Sequence, residues 1–157
     1  MSSPPDSTIA NNIDAQQLAE RVAAAMYSDD SASQMLGMEI QAVGPGYARL
    51  TMRVRDDMVN GHDICHGGLI FTLADSAFAF ACNSDNHSTV ASGASIEFLR
   101  PGKAGDVLAA EAKVSVQGRR TGVYDISVRN QDDALIALFR GKSHRIKGQV
   151  LESLPAD

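Results

Sequence analysis

The sequence predicts an α+β fold, in which a curved antiparallel sheet of about six strands wraps one long central helix. Residues 69–82 form an almost unbroken apolar run whose only charge is Asp75. The run is too long for a strand and too interrupted for a membrane span, which indicates a buried helix. The segments around it alternate apolar and polar residues and are joined by short turns, as neighbouring antiparallel strands are.

The N-terminal part predicts a surface helix followed by a hairpin. Residues 1–12 are rich in Ser, Pro and Asn, and we expect them to be disordered. Asp14 and Gln17 have the spacing of a capping box and predict a helix that runs to about Tyr27, followed by a helical turn at residues 34–36. Alternation around a Gly-Pro-Gly turn then predicts two strands with one buried face. The buried residues of this hairpin would be Met38, Ile40, Ala42, Ala48, Leu50, Met52 and Val54.

The second half of the chain predicts four strands after a loop at residues 83–88. Their short connections favour antiparallel pairing of consecutive strands. A sheet with one apolar face packs most simply by curling around the apolar helix, which is the arrangement of the hotdog fold. We expect one domain at residues 13–147 and a frayed tail at 148–157. The inward positions of the four strands would include Ala94, Ile96, Phe98, Leu108, Val114, Val116, Tyr124, Ile126 and Val128.

Composition argues against several classes of function. The chain has 157 residues, of which 44% are hydrophobic and 21% charged, as in one globular domain. Its net charge of -5 does not indicate nucleic acid or an anionic membrane as a partner. No secretory signal is evident, so a soluble cytoplasmic protein is expected. Cys65 and Cys82 fit neither a disulfide framework nor a metal motif, and we expect no metal and no resident cofactor.

The stretch at residues 60–84, NGHDICHGGLIFTLADSAFAFACNS, resembles the signature of the hotdog-fold acyl-CoA thioesterases. It is most similar to their PaaI-type branch, which acts in phenylacetic acid degradation. The later segments FLRPGKAGD, QGRRTGVYDI and ALFRGKSHRI resemble the same branch, so the similarity covers about residues 27–147. The resemblance implies hydrolysis of (hydroxy)phenylacetyl-CoA-type thioesters, with coenzyme A as part of the substrate. It also implies a homodimer with active sites at its interface, and a tetramer made of two dimers.

The resemblance assigns roles to four residues of this stretch. Asp75 matches the catalytic carboxylate, Gly67 matches the residue whose backbone N–H polarises the thioester carbonyl, and Asn60 and His66 match polar residues around them. Each residue also has a plainer interpretation. The plainer interpretations are a paired structural carboxylate for Asp75, a tight turn for Gly67, a helix cap for His66 and an Asn-Gly turn for Asn60.

Thioester hydrolysis needs a donor to the carbonyl oxygen and a base or nucleophile at the carbonyl carbon. The unpaired N–H groups of a helix that starts at Gly67 and Gly68 would supply the donor. Asp75 would act either as a general base for water or as a nucleophile that forms a mixed anhydride. Thr72 and Ser76 share its helical face, so either hydroxyl is a candidate to orient the carboxylate or a water molecule.

Helix geometry separates the two halves of this machinery. Gly67 and Asp75 are eight residues apart, which is about 12 Å along one helix, whereas reacting groups approach to about 3–3.5 Å. Two helices packed antiparallel about a two-fold axis would bring the start of one beside the carboxylate of the other. The sequence therefore predicts composite sites, with Gly67, His66 and Asn60 from one subunit and Asp75 from its partner.

Substrate contacts beyond this stretch are less defined. Arg119 and Arg120, in a predicted turn, are the first candidates to hold the coenzyme A phosphates. Interface side chains would line the acyl pocket, with Phe71, Phe78 and Phe80 as candidates. Two other functions stay open, namely a hotdog hydratase or dehydratase and a non-catalytic acyl-CoA-binding module. The former would place a histidine and an acid together at the site.

Overall fold

A six-stranded antiparallel sheet curls around one long helix in the computed structural model, which describes residues 13–152. The predicted disordered segment 1–12 lies outside the described residues. The helices are α1 (Ala15–Asp29), α2 (Ser31–Met35) and α3 (Gly67–Cys82), with one 3-10 turn at Asp56–Met58. The strands are β1 (Glu39–Gly44), β2 (Tyr47–Arg53), β3 (His87–Phe98), β4 (Val107–Gln117), β5 (Thr121–Arg129) and β6 (Leu135–Gln149). The predicted hotdog arrangement is therefore confirmed.

The strand order is β1-β2-β4-β5-β6-β3, so β3 leaves its sequence neighbours and forms one edge. The hairpins β1–β2, β4–β5 and β5–β6 follow the predicted pairing of consecutive strands. β3 instead follows α3 in sequence and pairs with β6 at the far edge. This crossover leaves one side of a 12-residue strand without a partner among the described strands.

The α3 helix packs against the concave face of the sheet, mainly over β2, β4 and β5. Its buried residues are Ile70, Leu73, Ala74, Ala77, Phe78, Phe80, Ala81 and Cys82. Small residues on the sheet make room for its rings. A Cβ at Gly141 on β6 would lie 2.8 Å from the ring of Phe78, so the glycine lets the helix lie against that strand. The predicted central helix is thus the structural core of the domain.

The N-terminal helix has the predicted capping box. The Asp14 carboxylate accepts from the Gln17 N–H at 2.7 Å, and the Gln17 side chain accepts from the Asp14 N–H at 3.2 Å. The helix continues to Asp29, two residues beyond the prediction, and α2 starts after only one more residue. Asp30 makes this close junction possible, because its carboxylate accepts from the Ser33 N–H at 2.9 Å and caps α2.

Two β-bulges change which residues face the core. The β1–β2 register shifts between Ile40 and Ala42, and Ala42 is exposed instead of buried. The β4–β5 register shifts between Val114 and Val116, which are 40% and 58% exposed. The predictions for Ala42 and Val116 were wrong because an inserted residue reverses the alternation beyond it. Val114 comes before its bulge and lies against Gly46 in the β1–β2 turn, where a glycine covers little of its side chain.

The edge strand β3 also differs from prediction. It starts at His87, inside the predicted loop, and Asn83 anchors its start by accepting from the Thr89 N–H at 2.9 Å. Ala94 and Phe98 were expected to be buried but are exposed. Alternation alone does not reveal that a strand lies at an edge, where the rest of the chain covers little of it.

Part of the predicted frayed tail, residues 148–152, continues the fold, and residues 153–157 lie outside the described residues. β6 continues to Gln149, which pairs with His87. The Asn86 side chain then accepts from the Leu151 N–H at 2.7 Å and donates to the Leu151 carbonyl at 3.2 Å. Among residues 13–152, no helix has the length and hydropathy needed to cross a membrane.

Candidate active site

The start of α3 is built so that one backbone donor stays free. His66 is the N-cap, and its Nδ1 accepts from the Gly68 N–H at 2.9 Å. The His66 carbonyl accepts from the Leu69 N–H at 2.9 Å. The N–H of Gly67, at the first helical position, has no acceptor within residues 13–152. His66 therefore caps the helix while leaving Gly67 available to an external acceptor.

The cleft beside Gly67 has a volume of about 420 Å³ and is mainly apolar. Its lining residues are Asn60, Ile64, Cys65, Gly67, Ile70, Phe98, Leu99, Arg100, Pro101 and Gly102. A carbonyl oxygen in this cleft would meet an unpaired N–H at the positive end of the helix dipole. The geometry suits a group that develops negative charge during reaction.

Asn60 orders the loop that leads to this helix start. Its side-chain oxygen accepts from the His62 N–H at 2.9 Å, and its own N–H donates to the Ile64 carbonyl at 2.8 Å. The side-chain NH₂ of Asn60 has no acceptor in the described part of the chain. The structure thus brings Asn60 and Gly67 to one cleft, and the backbone and side-chain oxygen of Asn60 form a turn while its side-chain NH₂ does not take part in that turn.

Asp75 is half-buried on α3 and has neither a hydrogen bond nor an ion pair among residues 13–152. Burial raises the pKa of this carboxyl group above its usual range. A structural carboxylate normally has a partner that repays its desolvation. The paired interpretation of Asp75 therefore finds no partner within the chain.

The hydroxyls next to Asp75 are bound elsewhere. Thr72 donates to the Gly68 carbonyl at 2.8 Å, one helical turn back. The Ser76 hydroxyl lies 2.9 Å from the Ser33 hydroxyl, which donates to Asp30 at 2.6 Å. Neither one bonds to Asp75. Ser76 instead connects α3 to α2.

Gly67 and Asp75 lie on one uninterrupted helix, as the sequence predicts. At about 1.5 Å per residue they are roughly 12 Å apart along its axis. One chain alone therefore does not present both groups to one carbonyl.

A basic cleft of about 720 Å³ lies at the opposite end of β3 from Gly67. The predicted pair Arg119 and Arg120 lines it, together with residues that the sequence did not single out as a set: His87, His144, Arg145, Ile146 and Lys147. Asp85 is ion-paired with Arg145 at its edge. His87 and Phe98 are the ends of β3, about 35 Å apart at ~3.3 Å per residue. The basic cleft is thus remote from Gly67 of the same chain.

The aromatic residue nearest the helix start is Phe98, which the sequence placed in the core. Phe78 and Phe80, candidates for the acyl pocket, are instead 1% and 2% exposed in the core, and Phe71 packs edge-on against Phe139. The position of Phe98 directly before LRPG, at the end of a strand, was a possible signal. Burial raises the pKa of the Cys65 thiol. Burial raises the pKa of the Cys82 thiol to about 12, so neither cysteine is a ready nucleophile.

Comparisons with known proteins agree with this fold. The thioesterase superfamily profile matches residues 62–137. Acyl-coenzyme A thioesterase PaaI of Escherichia coli K12 is 54% identical over 126 residues, which cover 80% of this chain and 90% of that protein. The chain therefore belongs to the thioesterase superfamily. Within it, the chain is a PaaI-type acyl-CoA thioesterase, and hence a thioester hydrolase.

Two solved structures extend the comparison to three dimensions. The PaaI protein from the phenylacetic acid degradation operon of E. coli superposes with a TM-score of 0.86 at 51% identity, covering 87% of this chain and 99% of that one. A hypothetical thioesterase protein with coenzyme A from Streptococcus pneumoniae TIGR4 gives a TM-score of 0.72 at 28% identity, covering 80% and 96%.

Proposed function

We propose that this enzyme hydrolyses aryl acyl-CoA thioesters of the (hydroxy)phenylacetyl-CoA type to the free acid and coenzyme A. The observation that carries the proposal is the pair of unsatisfied groups on α3, the free Gly67 N–H and the unpaired carboxylate of Asp75. One suits a developing oxyanion and the other suits the attack on the carbonyl carbon. The name and operon of the E. coli relative support the same substrate class.

In the proposed reaction, the Gly67 N–H donates to the thioester oxygen and stabilises the negative charge that forms there. Asp75 of the partner subunit takes a proton from water as the water oxygen bonds to the carbonyl carbon. The carbon–sulfur bond then breaks, and the thiolate of coenzyme A receives that proton. In the nucleophilic alternative, Asp75 bonds to the carbonyl carbon, the thiolate leaves, and water hydrolyses the mixed anhydride.

The free edge of β3 supports the two-subunit site. Long edge strands with unpaired backbone groups are normally covered, and a second copy paired antiparallel about a two-fold axis would cover this one. The first residue of α3 lies beside the last residue of β3, and the C-terminal end of α3 lies beside the first residues of β3. Such pairing would therefore set the two helices antiparallel, each start toward the partner's Asp75. We propose that two such dimers form a tetramer.

The basic cleft is proposed to hold the phosphates of coenzyme A, with Arg119 and Arg120 as direct contacts. It concentrates positive charge in a chain whose net charge is -5. Because it is remote from Gly67 of its own chain, it would serve the site that contains the partner's Gly67. Arg100 lines the cleft beside Gly67 and is too near the reacting carbonyl end for this role.

The experiment that tests the proposed function is thiol release from a panel of CoA thioesters. Phenylacetyl-CoA, hydroxyphenylacetyl-CoA and acetyl-CoA would be compared, and crotonyl-CoA would be followed for both thiol release and hydration. We expect the aryl acetyl thioesters to have the highest kcat/KM. Hydration of crotonyl-CoA without thiol release would favour a hydratase. Tight coenzyme A binding with no turnover of any thioester would favour a binding module.

Substitution of Arg119 and Arg120 by alanine is expected to raise KM for phenylacetyl-CoA about tenfold with little change in kcat, since phosphate contacts add binding in ground and transition states alike. The control substrate is the N-acetylcysteamine thioester of phenylacetate, which lacks the phosphates and should be unaffected. The exposed Lys103→Ala variant serves as a control for loss of charge. An equal KM rise for both substrates would reject the phosphate contact.

A further inference from the structure

Phe98 lies directly against the start of α3. It is the last residue of β3, and 53% of its surface is exposed. A Cβ built on Gly67 would lie 3.0 Å from the Cζ of Phe98 and 3.3 Å from its Cε1. The tip of the ring therefore touches the residue that holds the free N–H.

The backbone holds Phe98 firmly at this position. Phe98 pairs with Ala137 of β6, and the N–H groups of Leu99 and Arg100 both donate to the Ile136 carbonyl, at 2.8 and 3.2 Å. The ring has no aromatic partner within residues 13–152. Leu99 beside it is 50% exposed and lines the same cleft. The end of β3 thus presents a fixed apolar surface, and the ring of Phe98 in it has no aromatic contact among the described residues.

The free N–H of Gly67 fixes where a carbonyl would bind relative to this ring. A hydrogen bond of about 2.9 Å to the carbonyl oxygen, plus ~1.2 Å for the C=O bond, leaves the carbonyl carbon close to Gly67. An acyl substituent on that carbon that follows the cleft lined by Phe98 and Leu99 would meet the ring of Phe98. Two aromatic rings in contact attract each other in stacked or edge-to-face arrangements.

We infer that Phe98 is the residue that determines specificity for the acyl group, by forming an aromatic wall for an aryl substituent. This inference rests on the proposed function, and it goes further by assigning substrate selection to one side chain. Ile64, Ile70 and Leu99 complete the apolar lining of the cleft. The contact also explains why residue 67 is glycine, because a larger side chain would displace the ring.

The test compares kcat/KM for phenylacetyl-CoA and acetyl-CoA in wild type, Phe98→Leu and Phe98→Ala. We expect the selectivity ratio to fall about tenfold in Phe98→Ala and by a smaller factor in Phe98→Leu, which keeps the apolar bulk but lacks the ring. Acetyl-CoA hydrolysis should fall by a smaller factor than phenylacetyl-CoA hydrolysis. Val116→Ala, at an exposed valine outside this cleft, is the matched control and should keep the wild-type ratio.

Three outcomes would overturn the inference. An unchanged selectivity ratio would show that the acyl group does not meet the ring. An equal loss for both substrates would place Phe98 against the leaving group. Loss of all activity together with dissociation of the oligomer, seen by light scattering, would make Phe98 a subunit contact. Failure of the wild type to hydrolyse any CoA thioester is a separate result, because it rejects the proposed function and the inference with it.

Discussion

Asp75→Asn is expected to lower kcat/KM for phenylacetyl-CoA by about 10²- to 10⁴-fold, since the amide can neither take a proton from water nor attack the carbonyl. Thiol release in a spectrophotometric assay measures the loss, and Asp75→Ala should behave similarly. Asp132→Asn, an exposed turn residue, is the control for the same chemical change and should keep full activity. Substantial thiol release from both Asp75 variants would reject the proposed chemistry.

Thermal unfolding separates a catalytic Asp75 from a structural one. Burial raises its pKa in the folded chain, so as pH rises the unfolded state loses this proton first and the native state loses stability. Ionised Asp75 therefore destabilises the fold at neutral pH, and Asp75→Asn should unfold at the same or a higher temperature. A lower unfolding temperature for Asp75→Asn would indicate a structural role instead.

Gly67→Pro is expected to lower kcat by about 10²- to 10³-fold, the usual effect of removing one oxyanion donor. Proline is well tolerated at the first position of a helix, and the preceding His66 has φ -60° and ψ 128°, which suit a residue before proline. The substitution therefore deletes the N–H without breaking the helix. Turnover of phenylacetyl-CoA measures the loss of the donor, and circular dichroism checks that the helix is retained.

Gly67→Ala is the matched control for the proline variant. It adds a Cβ beside Phe98 as proline does, but it keeps the N–H. The difference in kcat between the two variants isolates the donor from the steric effect. If alanine and proline reduce kcat equally while both proteins stay folded, the Gly67 N–H is not the oxyanion donor.

The sequence predicted most of the fold because its two periodicities were unambiguous. The apolar run at residues 69–82 could only be a buried helix, and the alternation in β2 and β5 matches their buried faces. The errors fell where no pattern carries the information. The bulge before Ala42 and the edge position of β3 both depend on pairing partners remote in sequence.

The residues of the candidate site also differ in whether a local sequence pattern could predict them. Gly67 could be recognised because a glycine pair before an apolar helix is a local pattern, and its free N–H follows from His66 capping the next residue. For Phe98 the sequence indicates only the end of a strand before LRPG; its contact with Gly67 could not be predicted, because that contact spans the crossover from α3 to the edge strand. The sequence suggested Ser76 as a partner of Asp75, whereas packing of α2 directs its hydroxyl to Ser33.

The central claim is that each active site combines Gly67 of one subunit with Asp75 of its partner. Mixing unfolded Asp75→Asn and Gly67→Pro chains and refolding them together tests it most directly. Half of the dimers would be mixed, and each mixed dimer would contain one intact site, so about a quarter of wild-type activity should return although each variant alone is nearly inactive. If both groups act within one chain, every chain in the mixture is defective, and activity would stay at the level of the separate variants.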